Sequence, residues 1–226
     1  YTMVYGILEL INFAHGEVVM IGAMVALSVI GALVGANVGL PGYLIVTLGV
    51  LLAIPACMLL GFTIERVAYR PLRHAPRLAP LITAIGVSIL LQNIAMIVWG
   101  RQYVKFPPIL SSENHAIGGA TISDLQIFIL LLSLAVMAGL VLLVQKTKLG
   151  RAMRATAQAP HVAALMGVNV NTVIALTFVI GSALAAVAGV MVAAYYGLAH
   201  YYMGFMLGLK AFTAAVLGGI GNIGGA

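Results

Sequence analysis

Residues 146–167 read KTKLGRAMRATAQAPHVAALMG, and the reading of this stretch decides how the rest of the chain is arranged. It holds Lys146, Lys148, Arg151 and Arg154 and no acidic residue, and apolar runs of roughly bilayer-spanning length flank it at 125–144 and 170–195. A basic segment between two spans lies at a membrane surface, and the positive-inside rule makes that surface cytoplasmic. Residues 149–157 are rich in Ala, Arg and Met, which favour helix; Pro160 suits the first turn of a second short helix, and Gly167 can close it. The segment therefore reads either as a compact pair of surface helices or as an ordinary loop that only sets topology. Spacing alone does not separate the two.

Outward from this stretch the composition is that of a membrane protein: 63% of residues are hydrophobic and 7% charged, against about 25% charged in soluble domains. The formal net charge is +6, but the eleven Lys and Arg sit between apolar runs instead of forming one patch, so they orient helices and no nucleic-acid partner is implied. Cys57 is the single cysteine and lies inside an apolar run, which leaves no disulfide framework and no Cys-based metal site; no metal or cofactor is expected. The expected fold is an all-α polytopic membrane protein, a transmembrane helix bundle with broken or re-entrant helices, forming one domain over residues 1–226. The chain opens at Tyr1 inside an apolar segment and closes at Gly224-Gly225-Ala226 without a polar tail, so both ends read as trimmed.

The spans can be ordered by the charge of what joins them. Residues 35–42 form an uncharged Gly- and Pro-rich turn, which marks the outer side. Residues 43–64 span back, with Pro55 inside, to a stretch at 65–77 that carries four arginines against one glutamate and reads as a cytoplasmic loop. Residues 80–99 cross outward and end at Trp99, suited to the interfacial belt; Gln92 and Asn93 within that span should both face the bundle, since an amide in lipid loses its hydrogen bonds. The charge-balanced stretch 101–124 belongs outside, and His115 within it reads as an exposed loop histidine. On the span that follows the basic stretch, Gly181, Ser182, Ala185 and Gly189 place small residues on one face for close packing. Beyond Tyr195, His200 to Lys210 interrupt the apolar run, and the piece at 211–217 is too short to span and fits either a re-entrant half-helix or the first half of a longer span.

Near the start, Glu9 and then Asn12-Phe13-Ala14-His15-Gly16-Glu17 stand close to membrane depth before the apolar run 18–34. Polar groups there are costly unless they face protein or a water-filled path. Two readings remain open: a broken helix, with Gly16 and Glu17 opening a new helix whose positive dipole end points into the break, or a solvated turn at the interface.

Three stretches, 10–17 (LINFAHGE), 149–155 (LGRAMRA) with Gly167 beyond, and 210–221 (KAFTAAVLGGIG), resemble in order and spacing the permease subunits of bacterial high-affinity branched-chain amino-acid ABC transporters. Urea and short-amide permeases of the wider family are similar in the same places. The resemblance implies a multi-pass protein of the bacterial inner membrane that forms the translocation path. Its implied partners are ATP-binding ABC subunits, a sister permease, a periplasmic substrate-binding protein and membrane lipid. It also implies that the segment matching Asn12, His15, Gly16 and Glu17 is an interrupted transmembrane element beside that path. The loop matching 146–168 is where the ATPase docks, through Gly150, Arg151, Ala152, Met153, Arg154, Ala155, Thr156 and Gly167. In this expectation Ala152, Met153, Ala155 and Thr156 enter a groove on the ATPase, with Arg151 and Arg154 at its rim. Relatives often carry acidic residues where this chain has Gln158 and Ala159, which puts charge pairing there in doubt. No GxxxxGK[ST] pattern occurs, so the chain is not expected to hydrolyse ATP itself. The competing classes are an ion-coupled carrier or channel using Glu9 or Glu17 as coupling carboxylate, and a structural scaffold of a membrane complex.

Overall fold

In the computed structural model the described residues are 12–73, 75–76, 78–109, 113–117 and 120–219. The apolar runs become helices because a backbone in hydrocarbon must satisfy its own hydrogen bonds. They are α1 (Ala14–Gly35), α2 (Gly42–Ile64), α3 (Leu78–Trp99), α4 (Asp124–Lys146) and α7 (Val170–Tyr196), five segments long and apolar enough to cross a membrane. The basic stretch forms α5 (Lys148–Gln158) and α6 (Pro160–Leu165), and α8 (Met203–Leu217) closes the described part of the chain. At 1.5 Å per residue α8 reaches about 22 Å, short of the ~30 Å hydrocarbon core.

α1, α2 and α7 pack mutually and form the core, with α3 and α8 against α1. Hydrophobicity alone does not draw helices together in lipid, so close approach depends on small residues. Gly22 of α1 lies where a Cβ would come within 2.6 Å of the Ala186 Cα, and Gly189 where it would come within 2.9 Å of the Ala23 nitrogen. Gly61 of α2 sits against Ser182 in the same way. The small residues expected to serve packing on α7 do so at Ser182, Ala185 and Gly189, all buried in the bundle. Met20, Met24 and Ile30 of α1 are fully buried between these contacts.

Three expectations are corrected. Residues 65–77 are not all loop: α2 continues through a π-helical turn (Glu65–Tyr69) and a 3-10 turn (Arg70–Leu72), carrying the helical segment to 31 residues. The apolar piece after His200 is not broken by Gly204 and Gly208, which lie inside α8 and let it approach α1. Asn93 does not face the bundle; it is exposed and its amide donates to the Ile89 carbonyl at 2.8 Å, so one polar group is satisfied by its own helix. Gln92, one residue earlier and so about 100° around the helix, does face inward.

Short strands lie between α3 and α4 and just after α7. β1 (Val104–Lys105) pairs antiparallel with β4 (Leu198–Ala199), and β2 (Asn114–Ile117) with β3 (Ala120–Ser123). His115 is exposed, and it pairs with Asp124 at 2.7 Å. Ser123 and Gln126 then form a capping box that starts α4.

Candidate functional site

α1 begins at Ala14, where the His15 amide closes the first turn on the Asn12 carbonyl at 3.2 Å. Its depth follows from two cross-links to α3. Trp99 donates its indole N–H to Ser28 Oγ at 2.7 Å, and Glu17 accepts from Ser88 Oγ at 3.0 Å and Gln92 Nε2 at 2.8 Å. Eleven residues separate Glu17 from Ser28, as they do Ser88 from Trp99, so Glu17 and the start of α1 lie about 16 Å along the helix axes from the Trp99 level. Glu9 and the rest of the upstream half of the interruption lie outside the described residues.

The four residues picked out here fan in three directions from one helical turn. Asn12 is buried and its Oδ1 accepts from the Tyr69 hydroxyl at 2.8 Å. Glu17 is fully buried against α3, and its second oxygen, Oε2, has no hydrogen-bond partner among the described residues and abuts Gly204. Gly16 faces α8: a Cβ there would meet the Gly204 carbonyl oxygen and come within 2.9 Å of the Gly208 Cα. His15 and Gly16 also border a cavity of about 680 Å³ between α1, α4, α7 and α8. Ser133 and Met137 of α4, Gly181 of α7 and Leu207 of α8 complete its walls, and apart from His15 and Ser133 every lining residue is aliphatic, methionine or glycine.

The helix pair of the basic stretch is built as its composition suggests. Thr147 caps α5 by accepting from the Gly150 amide at 3.0 Å. Gly150 is required because a Cβ would strike the Leu143 and Val144 carbonyls. Pro160 opens α6, and Gly167, at φ +84°, ends it with bonds from Gly167 N to Ala164 O and from Val168 N to Ala163 O, each 3.0 Å. Arg154 turns back to donate to the Val144 carbonyl.

The phase of α5 differs from the expected one. Met153 and Thr156 are each 2% exposed and face the transmembrane helices α4 and α7, which α5 packs upon. They are not on an open surface. Arg151, Arg154 and Ala155 are exposed, Ala152 half so. The exposed apolar surface is instead on and after α6, at Val162, Leu165 and Met166, 57%, 87% and 80% exposed. These three were missed in the sequence, although an apolar residue at 162 followed by two at 165 and 166 is a helical-face signal in a basic segment. The cavity walls on α4 and α8 were also missed, and Gly181 and Ala185 of α7, read as packing residues, line the cavity as well.

The residues of α5 and those at the start of α1 do not meet in space: α5 packs on α4, α6 and α7, whereas the start of α1 meets the end of α2, α3 and α8. Comparison with known proteins bears on what joins them. The family described as the permease component of branched-chain amino acid transport systems matches residues 1–226. The high-affinity branched-chain amino acid transport system permease protein LivH of Escherichia coli K12 is 47% identical over 233 residues, covering 100% of this chain and 74% of that protein. BraD of Pseudomonas aeruginosa, described in the same words, is 48% identical over 234 residues, covering 100% and 75%. A probable branched-chain amino acid transport permease of Methanocaldococcus jannaschii is 27% identical over the whole chain and 70% of its own length. No solved structure matches. With a family match over its full length and five apolar spans, this multi-pass membrane protein belongs to the permease components of branched-chain amino acid transport systems.

Proposed function

We propose that this chain forms part of the translocation path of an ABC importer for branched-chain amino acids in the bacterial inner membrane. A sister permease completes the path, separate ATP-binding subunits drive it, and a periplasmic binding protein delivers substrate. The observation that supports the substrate class is the cavity beside the start of α1. Its lining is nearly all aliphatic, which suits a branched hydrocarbon side chain, whereas urea or a short amide would leave its hydrogen-bonding groups unpaired there. His15 and Ser133 are the two polar side chains in that lining. Asn12 and Glu17 belong to the same turn but face α2 and α3, so their part is to hold that turn in place.

The ATP-binding subunit docks on the outer side of the helix pair. Arg151, Ala155 and the apolar group Val162, Leu165 and Met166 make the contact, while Gly150, Met153 and Thr156 seat the pair on the bundle and Gly167 sets its exit. Exposed apolar side chains with basic residues beside them have the form of an interface centre and rim. Reconstitution with the partner subunits tests the whole reading. ATP-dependent import of leucine is the expected result, and ATP-dependent import of urea without leucine would overturn it.

A further inference from the structure

Polar contacts from the end of α2, exposed at Arg73–Asn171, partly buried at Arg73–Glu65 and buried at Tyr69–Asn12, reach α7 on one side and the start of α1 on the other. The π-helical turn puts Glu65 and Tyr69 on the inner side, 2% and 3% exposed, while Arg66 and Val67 between them face outward. Arg73, just past the 3-10 turn, ion-pairs with Glu65 and donates to Asn171 in the first turn of α7. Tyr69 packs tilted against the Phe178 ring of α7, with centroids 5.3 Å apart, and donates its hydroxyl to Asn12 at 2.8 Å. α7 itself starts three residues after Gly167, and both α5 and α6 pack on it. Neither Tyr69 nor Arg73 lines the cavity.

We propose that Tyr69 and Arg73 are positioning residues that couple the cytoplasmic helix pair to the break at the start of α1. This inference rests on the transporter reading above and names how force would cross the inner half of the membrane. When the ATP-binding subunit displaces the helix pair, α7 and Arg73 move the end of α2. The Tyr69–Asn12 bond carries that movement to the turn holding His15 and Gly16 at the cavity. Buried hydrogen bonds are costly to leave unmade, so the joined elements move together and do not slip past one another. A single π-helical turn inside an α-helical segment supplies the movable part, since it differs from α-helix by one residue of register.

The complex of this chain with its ATP-binding subunits, sister permease and binding protein, placed in proteoliposomes, gives the readout: labelled leucine imported per phosphate released. Tyr69→Phe keeps the ring contact with Phe178 and removes only the hydroxyl. It is expected to lower the ratio by about threefold or more at normal complex yield and normal ATP hydrolysis. Asn12→Ala should lower the ratio too, and Tyr69→Phe added to it should lower it no further, because both remove one bond. An unchanged ratio in Tyr69→Phe, independent losses in the double variant, or reduced yield at an unchanged ratio would each overturn the coupling role. A wild-type complex that hydrolyses ATP but imports no leucine would overturn the transporter reading, and the relay with it.

Discussion

Gly16 and Glu17 are neighbours with opposite demands. At Gly16 the demand is for nothing beyond hydrogen, because a Cβ would run into the backbone of α8. Overpacking of this kind costs about 1–3 kcal/mol, and here the strain would part α1 from α8 beside the cavity. Gly16→Ala is therefore expected to slow leucine uptake about tenfold while the ATP-binding subunit still co-purifies; Gly31→Ala, with nothing within 4 Å, should be silent. Uptake at the wild-type rate in Gly16→Ala would mean that the helices can separate at no cost to transport. At Glu17 the demand is for an acceptor. Gln keeps an oxygen for the Ser88 hydroxyl and the Gln92 amide, whereas Leu removes the acceptor of both and leaves the Gln92 amide only its 3.4 Å contact to Ser88 Oγ, a loss of about 1–3 kcal/mol for each bond removed. Thermal unfolding in detergent should therefore rank wild type and Glu17→Gln together and Glu17→Leu well below. Equal stability of the Leu variant would remove Glu17 from the list of helix ties.

At the scale of elements, helix ends were more legible than helix faces. Gly35, Pro41 and Gly42 mark a turn by their own backbone preferences, and so do Pro160 and Gly167 in the basic stretch. The phase of α5 was not legible, because which side meets the bundle depends on α4 and α7 and not on α5's own letters. Gly204 and Gly208 look like helix breakers in a sequence; they are helix residues whose missing side chains admit α1. Likewise Pro71 and the arginines near it suggest a loop, yet Pro is tolerated in a first turn and the helical segment runs on to Leu72. The faces of α5 and α6 divide into two kinds of variant. Met153→Ala empties a buried site and should destabilise the pair by about 2–5 kcal/mol, read as a lower melting temperature. Leu165→Ala should leave melting unchanged and weaken recovery of the ATP-binding subunit, and Ala155→Glu should do so more than Arg151→Ala, since an exposed ion pair is worth about 1 kcal/mol or less. Full recovery of the ATP-binding subunit with both Leu165→Ala and Ala155→Glu would remove this face from the docking surface.

For the whole molecule, the charge of the connections predicts which end is which. Cysteines introduced at Glu113 and Leu165, both exposed, should react with an impermeant maleimide from opposite sides, Glu113 from outside and Leu165 only after the inner face is opened. Cys57 is fully buried, so the parent chain provides its own unlabelled blank. Reaction of the Glu113 cysteine only from within would reverse every span.

α4 contributes no buried residue anywhere along its 23 residues. Its outer end is fixed by the Ser123–Gln126 capping box and by Asp124, whose side chain accepts from the Glu113 amide at 3.2 Å; its inner end is fixed by α5 through Gly150 and by Arg154 on the Val144 carbonyl. Mechanically it is a strut clamped at both tips and otherwise held by sparse contact with α7, and it is one wall of the cavity. A push on α5 along the membrane plane would bow such a strut before it unseated the clamps. The cavity volume would then respond to the load on the cytoplasmic side, with no rearrangement of the α1–α2–α7 core.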